Sequence, residues 1–188
     1  MAARREALAL VSTPWTLMLD ADEALDGALR DAVAATDETG VDAFRLKRTT
    51  FLCGRPVRGA GWGDERLVRL FRTGAARLVA RPAAGGDADV HERWVVDGEV
   101  RDLGGTLLHD SYPTLRRYRE KFARYTALEA AGLRPSALRL ARNAAVAALR
   151  FPWLLLGRGA WRDGWRGVYV AFFSALYPVA VAAKAMRE

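Results

Sequence analysis

The sequence predicts an α/β protein in which a mixed sheet is followed by a helical region. Up to about residue 112, short apolar or alternating runs bounded by turn residues recur, as strands do. From Pro113 onward, apolar residues recur at spacings of three and four, as on one face of a helix. A hydrophobic content of 51% over 188 residues is enough for a folded core. We therefore expect two regions, 1–112 and 113–188.

The first forty residues predict a helix, a strand and a second helix. Residues 2–11 suit the last turns of a helix. Residues 15–19 form a short apolar run of the kind that becomes a buried strand. Apolar residues at helical spacing over 25–35 predict the second helix, and Gly40 follows as a stop signal.

The stretch up to residue 112 predicts further strands. The run over 41–52 alternates apolar and charged residues, which is typical of a half-buried strand. Residues 90–96 and 99–103 flank an Asp-Gly pair, and this dipeptide suits the type I′ turn of a hairpin. Additional short strands are predicted over 66–71, 75–80 and 106–109.

Three helical segments are predicted after residue 112. The first covers about 115–131 and the second about 135–149. The third, 167–183, contains no charged residue and approaches the roughly 20 residues that cross a bilayer. This segment could be a core helix, could span a membrane, or could lie in the headgroup layer. The neighbouring aromatic residues and the surrounding arginines favour contact with a membrane surface.

The charge is unevenly distributed between the two regions. Residues 1–110 contain 15 Lys and Arg against 18 Asp and Glu, whereas residues 111–188 contain 14 against 4. This asymmetry indicates an anionic partner for the second region, either a membrane surface or nucleic acid. The single Cys53 excludes a disulfide framework and a thiolate metal cluster. The opening residues do not form a signal peptide pattern, so a cytoplasmic location is the default expectation.

A pair of aspartates follows the first predicted strand. Asp20 and Asp22 are spaced i, i+2, and Glu23 comes next. If the backbone stays extended, both side chains point to one face. Two carboxylates on one face suit a hard divalent cation, which often brings a phosphate with it. The alternative is an acidic helix N-terminus, where the helix dipole favours Asp22 or Glu23. There is no P-loop and no G-x-S-x-G motif.

The sequence Trp-Thr-Leu-Met-Leu-Asp-Ala-Asp-Glu over 15–23 resembles the D-x-D segment of inverting family-two glycosyltransferases with a GT-A fold. It is most similar to the subgroup that builds lipopolysaccharide core. Four further stretches match that subgroup in the expected order: Gly61-Trp62-Gly63-Asp64 leading to 69–72, Val90-His91-Glu92, 108–112, and a Gly-rich segment over 162–167.

The resemblance implies a partial GT-A-like sheet and assigns roles to residues in it. Asp20 and Asp22 would hold Mg²⁺ or Mn²⁺ and the diphosphate of a nucleotide sugar, with Asp22 as the more direct ligand.

Asp64 follows a Gly-Trp-Gly turn and is our choice for the general base, with Glu92 as the alternative base. Asp64 could instead cap a turn and pair with Arg66 or Arg69. His91 would complete the metal shell, although a structural histidine is the commoner case.

Several other roles stay open. His109 is a weaker metal candidate, Trp62 could stack on a sugar or fill a core, and Arg69 and Arg72 could contact phosphate or simply face solvent.

The resemblance also implies an activity and its partners. We expect transfer of a sugar, with a UDP-hexose as donor, to a lipid-linked or cell-envelope saccharide at the inner face of the cytoplasmic membrane. Because members of the family carry a nucleotide-binding portion before the D-x-D strand, and only 1–14 precede it here, we expect an amino-terminally truncated member. A non-catalytic membrane-associated remnant is the first alternative. A nucleic-acid-binding protein is the second, and it leaves the D-x-D strand and the apolar tail without a role.

Overall fold

The computed structural model describes residues 2–36, 40–63, 65–83 and 86–187. Within these ranges it describes only the backbone of residues 2, 3, 5, 80–83 and 86–92. The chain forms two compact units, each assembled from three segments of sequence. The first unit contains Met1–Thr49, Asp64–Arg81 and His91–His109, and the second contains Thr50–Gly63, Pro82–Val90 and Asp110–Glu188.

The described elements combine helices and strands as the sequence predicts. The helices are α1 (Ala2–Ala9), α2 (Gly27–Ala34), α3 (Leu115–Ala130), α4 (Ala137–Pro152) and α5 (Gly164–Ala185), with a π-helical turn over Trp153–Gly157 and a 3₁₀ turn over Ala160–Asp163. The strands are β1 (Trp15–Leu17), β2 (Glu23–Leu25), β3 (Ala43–Leu52), β4 (Arg55–Val57), β5 (Arg66–Arg72), β6 (Ala76–Ala83), β7 (Gly86–Val96), β8 (Val100–Asp102) and β9 (Leu107–Tyr112).

Seven of the strands form one mixed sheet. Its main order is β1-β5-β3-β9-β2, and β4 and β8 also pair with β3. The β1–β5, β3–β5, β3–β4 and β2–β9 pairs are antiparallel, whereas β8 runs parallel to β3. Strands β6 and β7 form a separate two-stranded sheet. A mixed sheet followed by helices confirms the predicted fold class, a partial GT-A-like α/β fold with a carboxyl-terminal helical region.

Among the described residues, one of the two buried clusters of the first unit lies on one face of β3. Phe44 and Leu46 are buried and Arg45 and Lys47 are exposed, as the alternation predicts. Phe44 and Leu46 pack with buried side chains from α2, β5 and β9, among them Leu29, Leu70 and Leu107. The side-chain period of a strand therefore determines which face of β3 enters this core.

The predicted hairpin between 90–96 and 99–103 is wrong. Strand β8 pairs in parallel with β3, and β7 pairs with β6. A type I′ turn requires positive φ at both central residues, and Gly98 is not among the described glycines with positive φ. Residues 99–102 instead bind the start of β3. Asp42 Oδ2 accepts a hydrogen bond from Glu99 N at 2.9 Å, and Glu99 O accepts one from Asp42 N at 2.9 Å.

Strand β1 is shorter and less buried than predicted. It covers three residues, of which only Thr16 is buried, and it forms one end of the sheet order. Leu19, which the sequence places in the strand, is 42% exposed. The apolar run therefore belongs to a short strand and the connection that follows it.

The second unit contains the three carboxyl-terminal helices. Thr114 and Ser136 cap α3 and α4, with their hydroxyls accepting hydrogen bonds from Arg117 N and Arg139 N. Edge-to-face contacts join Phe122 of α3 to α5, with ring centroids 5.0 Å from Phe173 and 5.7 Å from Tyr177. Among the described residues, one helical stretch, Ala160–Ala185, is long and apolar enough to cross a membrane by length and composition.

Candidate functional site

The aspartate pair lies in a tight turn after β1. Asp20 O accepts a hydrogen bond from Glu23 N at 3.0 Å, and Asp20 N donates to Glu23 Oε2 at 3.0 Å. This pairing is that of a four-residue β-turn, with Ala21 and Asp22 at its centre. The extended backbone that would place both aspartates on one face therefore ends before Asp20.

Arg69 of β5 binds two side chains of this turn. Its Nη2 donates to Asp20 Oδ2 and to Glu23 Oε1, each at 2.8 Å. The Glu23 side chain is fully buried and that of Arg69 is 9% exposed, so this is a desolvated ion pair. Arg48 of β3 also contacts Glu23 Oε1, at 3.4 Å. It donates to both carboxylate oxygens of Glu65, from Nε at 2.9 Å and from Nη2 at 2.8 Å. A buried carboxylate shared by two arginines fixes the position of the turn.

Asp20 is charge-compensated on both of its carboxylate oxygens. Arg4 of α1 donates to Oδ1, and Arg69 donates to Oδ2. Burial alone would raise the pKa of the Asp20 carboxyl, but the guanidinium groups of Arg69 and Arg4 outweigh burial and lower this pKa below its usual value. In this arrangement Asp20 supports the turn, and Arg4 and Arg69 compete with any cation for its carboxylate.

Asp22 has a different environment. Its side chain is 37% exposed, and Oδ2 lies 3.4 Å from Nε2 of His109, which is 13% exposed. The antiparallel register of β2 and β9 places Glu23 opposite His109, which brings the imidazole to the turn. An accessible carboxylate beside an imidazole offers oxygen and nitrogen ligands to a divalent cation.

The fit to a metal ion is therefore partial. Among the residues that the structure describes, no three His, Cys, Asp or Glu side chains are grouped closely enough to enclose an ion. Mg²⁺ commonly needs only one or two protein carboxylates, since water and substrate phosphates complete its shell. Asp22 suits such a site, whereas Asp20 is already bonded to two arginines.

The side chains of three predicted site residues lie outside the described part of the structure. Asp64 is not described, and His91 and Glu92 are described only as backbone within β7. Their predicted roles as bases and metal ligand stay predictions. Arg72, the second phosphate candidate, donates from Nε to Val41 O at 2.8 Å and lies over the Trp15 ring at 4.7 Å.

Sequence reasoning missed the role of Arg4 and Arg48 and ranked His109 below His91. The feature that brings His109 to the acidic turn is the register of β2 and β9. This strand pairing joins residues more than 80 positions apart. Arg4 and Arg48 are ordinary charged residues of a helix and a strand, and only the folded chain brings them to the acidic turn.

In the second unit the motif over 162–167 binds the residues just before the Gly-Trp-Gly motif. Asp163 Oδ2 accepts hydrogen bonds from Arg58 N at 2.9 Å and from Gly59 N at 2.6 Å. A Cβ on Gly59 would lie 2.4 Å from Ala160 Cα, so only glycine allows this approach. The motif over 162–167 therefore fixes the loop over 58–63, which we call the Trp62 loop.

Comparison of the sequence with known proteins finds similarity to a glycosyltransferase. No protein-family model matches the chain. It is 32% identical, over 95% of its own length, to the lipopolysaccharide core biosynthesis glycosyltransferase LpsC of Rhizobium meliloti (strain 1021). It spans 66% of that protein, just under two thirds. The chain is therefore similar, over nearly its whole length, to a lipopolysaccharide core biosynthesis glycosyltransferase.

Proposed function

We propose that this chain carries the metal-binding turn of an inverting glycosyltransferase. The enzyme transfers a sugar, with a UDP-hexose as donor, to a lipid-linked or cell-envelope saccharide. The observation that carries the proposal is the accessible Asp22 carboxylate beside His109, on a turn held by the buried Glu23–Arg69 pair. The similarity to a glycosyltransferase named for lipopolysaccharide core biosynthesis supports the same assignment.

The proposed chemistry separates metal binding from support of the turn. Asp22 would hold Mg²⁺ or Mn²⁺, and the ion would neutralise charge on the departing diphosphate. Asp20, Glu23 and Arg69 hold the turn at the exit of β1. Asp64 is the proposed general base that takes the proton of the attacking hydroxyl, and Glu92 is the alternative.

An anionic membrane surface is the proposed location of the acceptor. Two exposed apolar stripes lie on the second unit, and each side chain in them is between 40% and 81% exposed. The first stripe runs along α4 and the π-helical turn and comprises Leu138, Val146, Leu149, Trp153 and Leu156. The second runs along the 3₁₀ turn and α5 and comprises Trp161, Trp165, Val168 and Phe172.

The charge around these stripes supports an anionic partner. Arg158, Arg162 and Arg166 lie over the rings of Trp153, Trp161 and Trp165, at 5.8, 5.4 and 4.5 Å. Exposed Trp with adjacent Arg suits the bilayer interface. We place the chain peripherally at the inner face, because the opposite side of α5 packs its Val170, Ala171 and Ala175 inside the unit.

A second candidate is a non-catalytic relative that keeps the fold without binding a donor. The observation that favours it is the bonding of Asp20 to Arg4 and Arg69, because these two cationic groups compete with a metal ion for this carboxylate. The two candidates differ in whether the acidic turn binds a metal diphosphate.

Thermal unfolding of this chain with UDP and Mn²⁺ distinguishes the two candidates. We expect the pair to raise the unfolding temperature, because a ligand that binds only the folded state stabilises it. Asp22→Asn should abolish this increase. The matched control is Asp31→Asn, at an exposed position of α2, and it should keep the increase. No increase in the unmodified chain would favour the non-catalytic relative.

A further inference from the structure

We propose that an aromatic pocket in the second unit binds one ring of an anionic saccharide. This inference rests on the proposed function, because this saccharide is the acceptor of the proposed transfer. The pocket encloses about 270 Å³. It is lined mainly by aromatic side chains, three of them tyrosines, together with one arginine, one serine and one proline: Trp62, Tyr112, Tyr118, Phe122, Arg150, Phe173, Ser174, Tyr177 and Pro178.

A stack of rings forms one wall. The Trp62 ring lies 5.6 Å from that of Tyr112 at an interplanar angle of 28°, and 6.4 Å from that of Tyr118 at 21°. The face of an aromatic ring carries negative charge density, which attracts positively polarised C–H groups. A pyranose presents such C–H groups on its faces and hydroxyls around its rim. An aromatic wall with polar groups at its edge therefore suits a sugar ring.

The Trp62 loop is fixed before any ligand arrives. Besides the two hydrogen bonds to Asp163, Ala60 N donates to Arg158 O at 3.2 Å and Trp62 N donates to Gly59 O at 3.0 Å. A loop that is ordered in advance loses less entropy on binding. This explains why the motif over 162–167 accompanies the Gly-Trp-Gly motif: it positions the tryptophan.

The charge of the pocket indicates an anionic group on the ligand. Arg150 lines the pocket, and its exposed side chain forms no ion pair with another described residue. Among the described residues, Glu129 lies next to the pocket and accepts a hydrogen bond from Tyr177 Oη at 2.7 Å. A guanidinium binds phosphate or carboxylate through two parallel hydrogen bonds.

The size of the pocket restricts the ligand. Pockets that enclose drug-sized molecules hold about 300 to 1,000 Å³, so about 270 Å³ suits one ring and its substituent. A lipid acyl chain could also enter an apolar wall of this kind. The arginine and the rim hydroxyls favour the saccharide, and the acyl chain is tested as the alternative outcome.

Saturation-transfer NMR tests the proposal in the absence of nucleotide and metal. The probes are glucose 6-phosphate, glucose and octanoate. We expect saturation of the ring C–H protons of glucose 6-phosphate and a Kd about tenfold higher for glucose, which corresponds to about 1.4 kcal/mol. Arg150→Gln should remove the difference between the two sugars, and Trp62→Leu should remove binding of both.

Matched controls separate the pocket from the rest of the second unit. Arg142→Gln changes another exposed arginine of α4, and Trp161→Leu changes a tryptophan outside the pocket; both should bind as the unmodified chain does. Because Arg150 is exposed, Arg150→Gln tests the proposal even if Trp62→Leu does not fold.

Two results would overturn the assignment. One is sugar binding that is absent or that survives both pocket variants, and the other is displacement of glucose 6-phosphate by octanoate at lower concentration. Failure of UDP and Mn²⁺ to bind would remove the proposed transfer without affecting these sugar titrations, so the two proposals fail independently.

Discussion

At the scale of single residues, the buried Glu23 carboxylate determines the geometry of the acidic turn. It accepts hydrogen bonds from Arg69, Arg48 and the backbone of Asp20. Removing one partner of a buried ion pair leaves the other charge uncompensated, at a cost of about 3 to 5 kcal/mol. The turn therefore depends on a residue that the proposed chemistry does not use directly.

Glu23→Gln should lower the free energy of unfolding by about 3 kcal/mol. The amide keeps the shape of the side chain but cannot balance the Arg69 charge. Urea denaturation at pH 7 measures the loss. Glu99→Gln, at an exposed position, is the control and should change the stability by less than about 1 kcal/mol. Equal effects of the two substitutions would contradict the buried network.

The Asp20 carboxyl should make stability depend on pH. Its pKa is lower in the folded chain than the usual value of about 3.9. A lowered pKa stabilises the folded state above the unfolded-state pKa, and this contribution disappears as the pH falls through the folded-state pKa.

Asp20→Asn should therefore destabilise the chain at pH 7 and have little effect near pH 2. Denaturation curves between pH 7 and pH 2 measure the difference, with Asp31→Asn as the control. A loss of stability that is the same at both ends of this range would show that the carboxylate charge does not contribute.

At the scale of elements, local sequence predicted most of what the structure contains. The alternation of β3 and the helical spacings of α3 and α4 are local properties, and the structure confirms both. The parallel β8–β3 pair and the Glu23–His109 register are not local, since they join residues that are more than 50 positions apart. The partners of Asp20 were not predicted either, because Arg4 and Arg69 lie on other elements and only the folded chain brings them to the turn.

The close approach between the 3₁₀ turn and α5 gives a prediction at this scale. A Cβ on Gly167 would lie 1.8 Å from Ala160 O, which is backbone and cannot move without shifting the turn. Gly167→Ala should destabilise the second unit by about 1 to 3 kcal/mol, the usual cost of overpacking. Thermal unfolding monitored by tryptophan fluorescence measures this effect.

Gly27→Ala is the matched control for that substitution. Gly27 lies in the first turn of α2, and nothing lies within 4 Å of its added Cβ. Because Ala is the better helix former, this substitution should be neutral or slightly stabilising. A destabilisation as large as that of Gly167→Ala would indicate that the close approach is not the cause.

At the scale of the whole molecule, net charge is concentrated in one part of the chain. The chain carries a net charge of +7, and residues 134–187 contain nine Lys and Arg against one acid, Asp163. Asp163 keeps its negative charge although it is hydrogen-bonded to the Trp62 loop, so residues 134–187 carry nine positive charges and one negative charge, a net charge of +8. The proposed membrane surface therefore attracts the second unit through both apolar area and charge.

Vesicle cosedimentation tests that attraction. The chain should bind phosphatidylglycerol vesicles, bind phosphatidylcholine vesicles weakly, and lose affinity as salt rises. Trp153→Ala combined with Trp165→Ala should weaken the binding by roughly tenfold or more, because two exposed indoles no longer enter the interface. Leu10→Ala, at an exposed residue outside the stripes, should have no effect. Equal binding to both vesicle types would contradict the electrostatic part.

The most direct test of the central proposal is electron paramagnetic resonance of Mn²⁺ with this chain. The signal of free Mn²⁺ should fall when the chain and UDP are both present, beyond the decrease that UDP alone produces, because Asp22 and the diphosphate complete one coordination shell. Asp31→Asn should reproduce that decrease and Asp22→Asn should abolish it. A decrease that persists in Asp22→Asn, or that never exceeds the UDP control, would contradict a metal diphosphate site at the acidic turn.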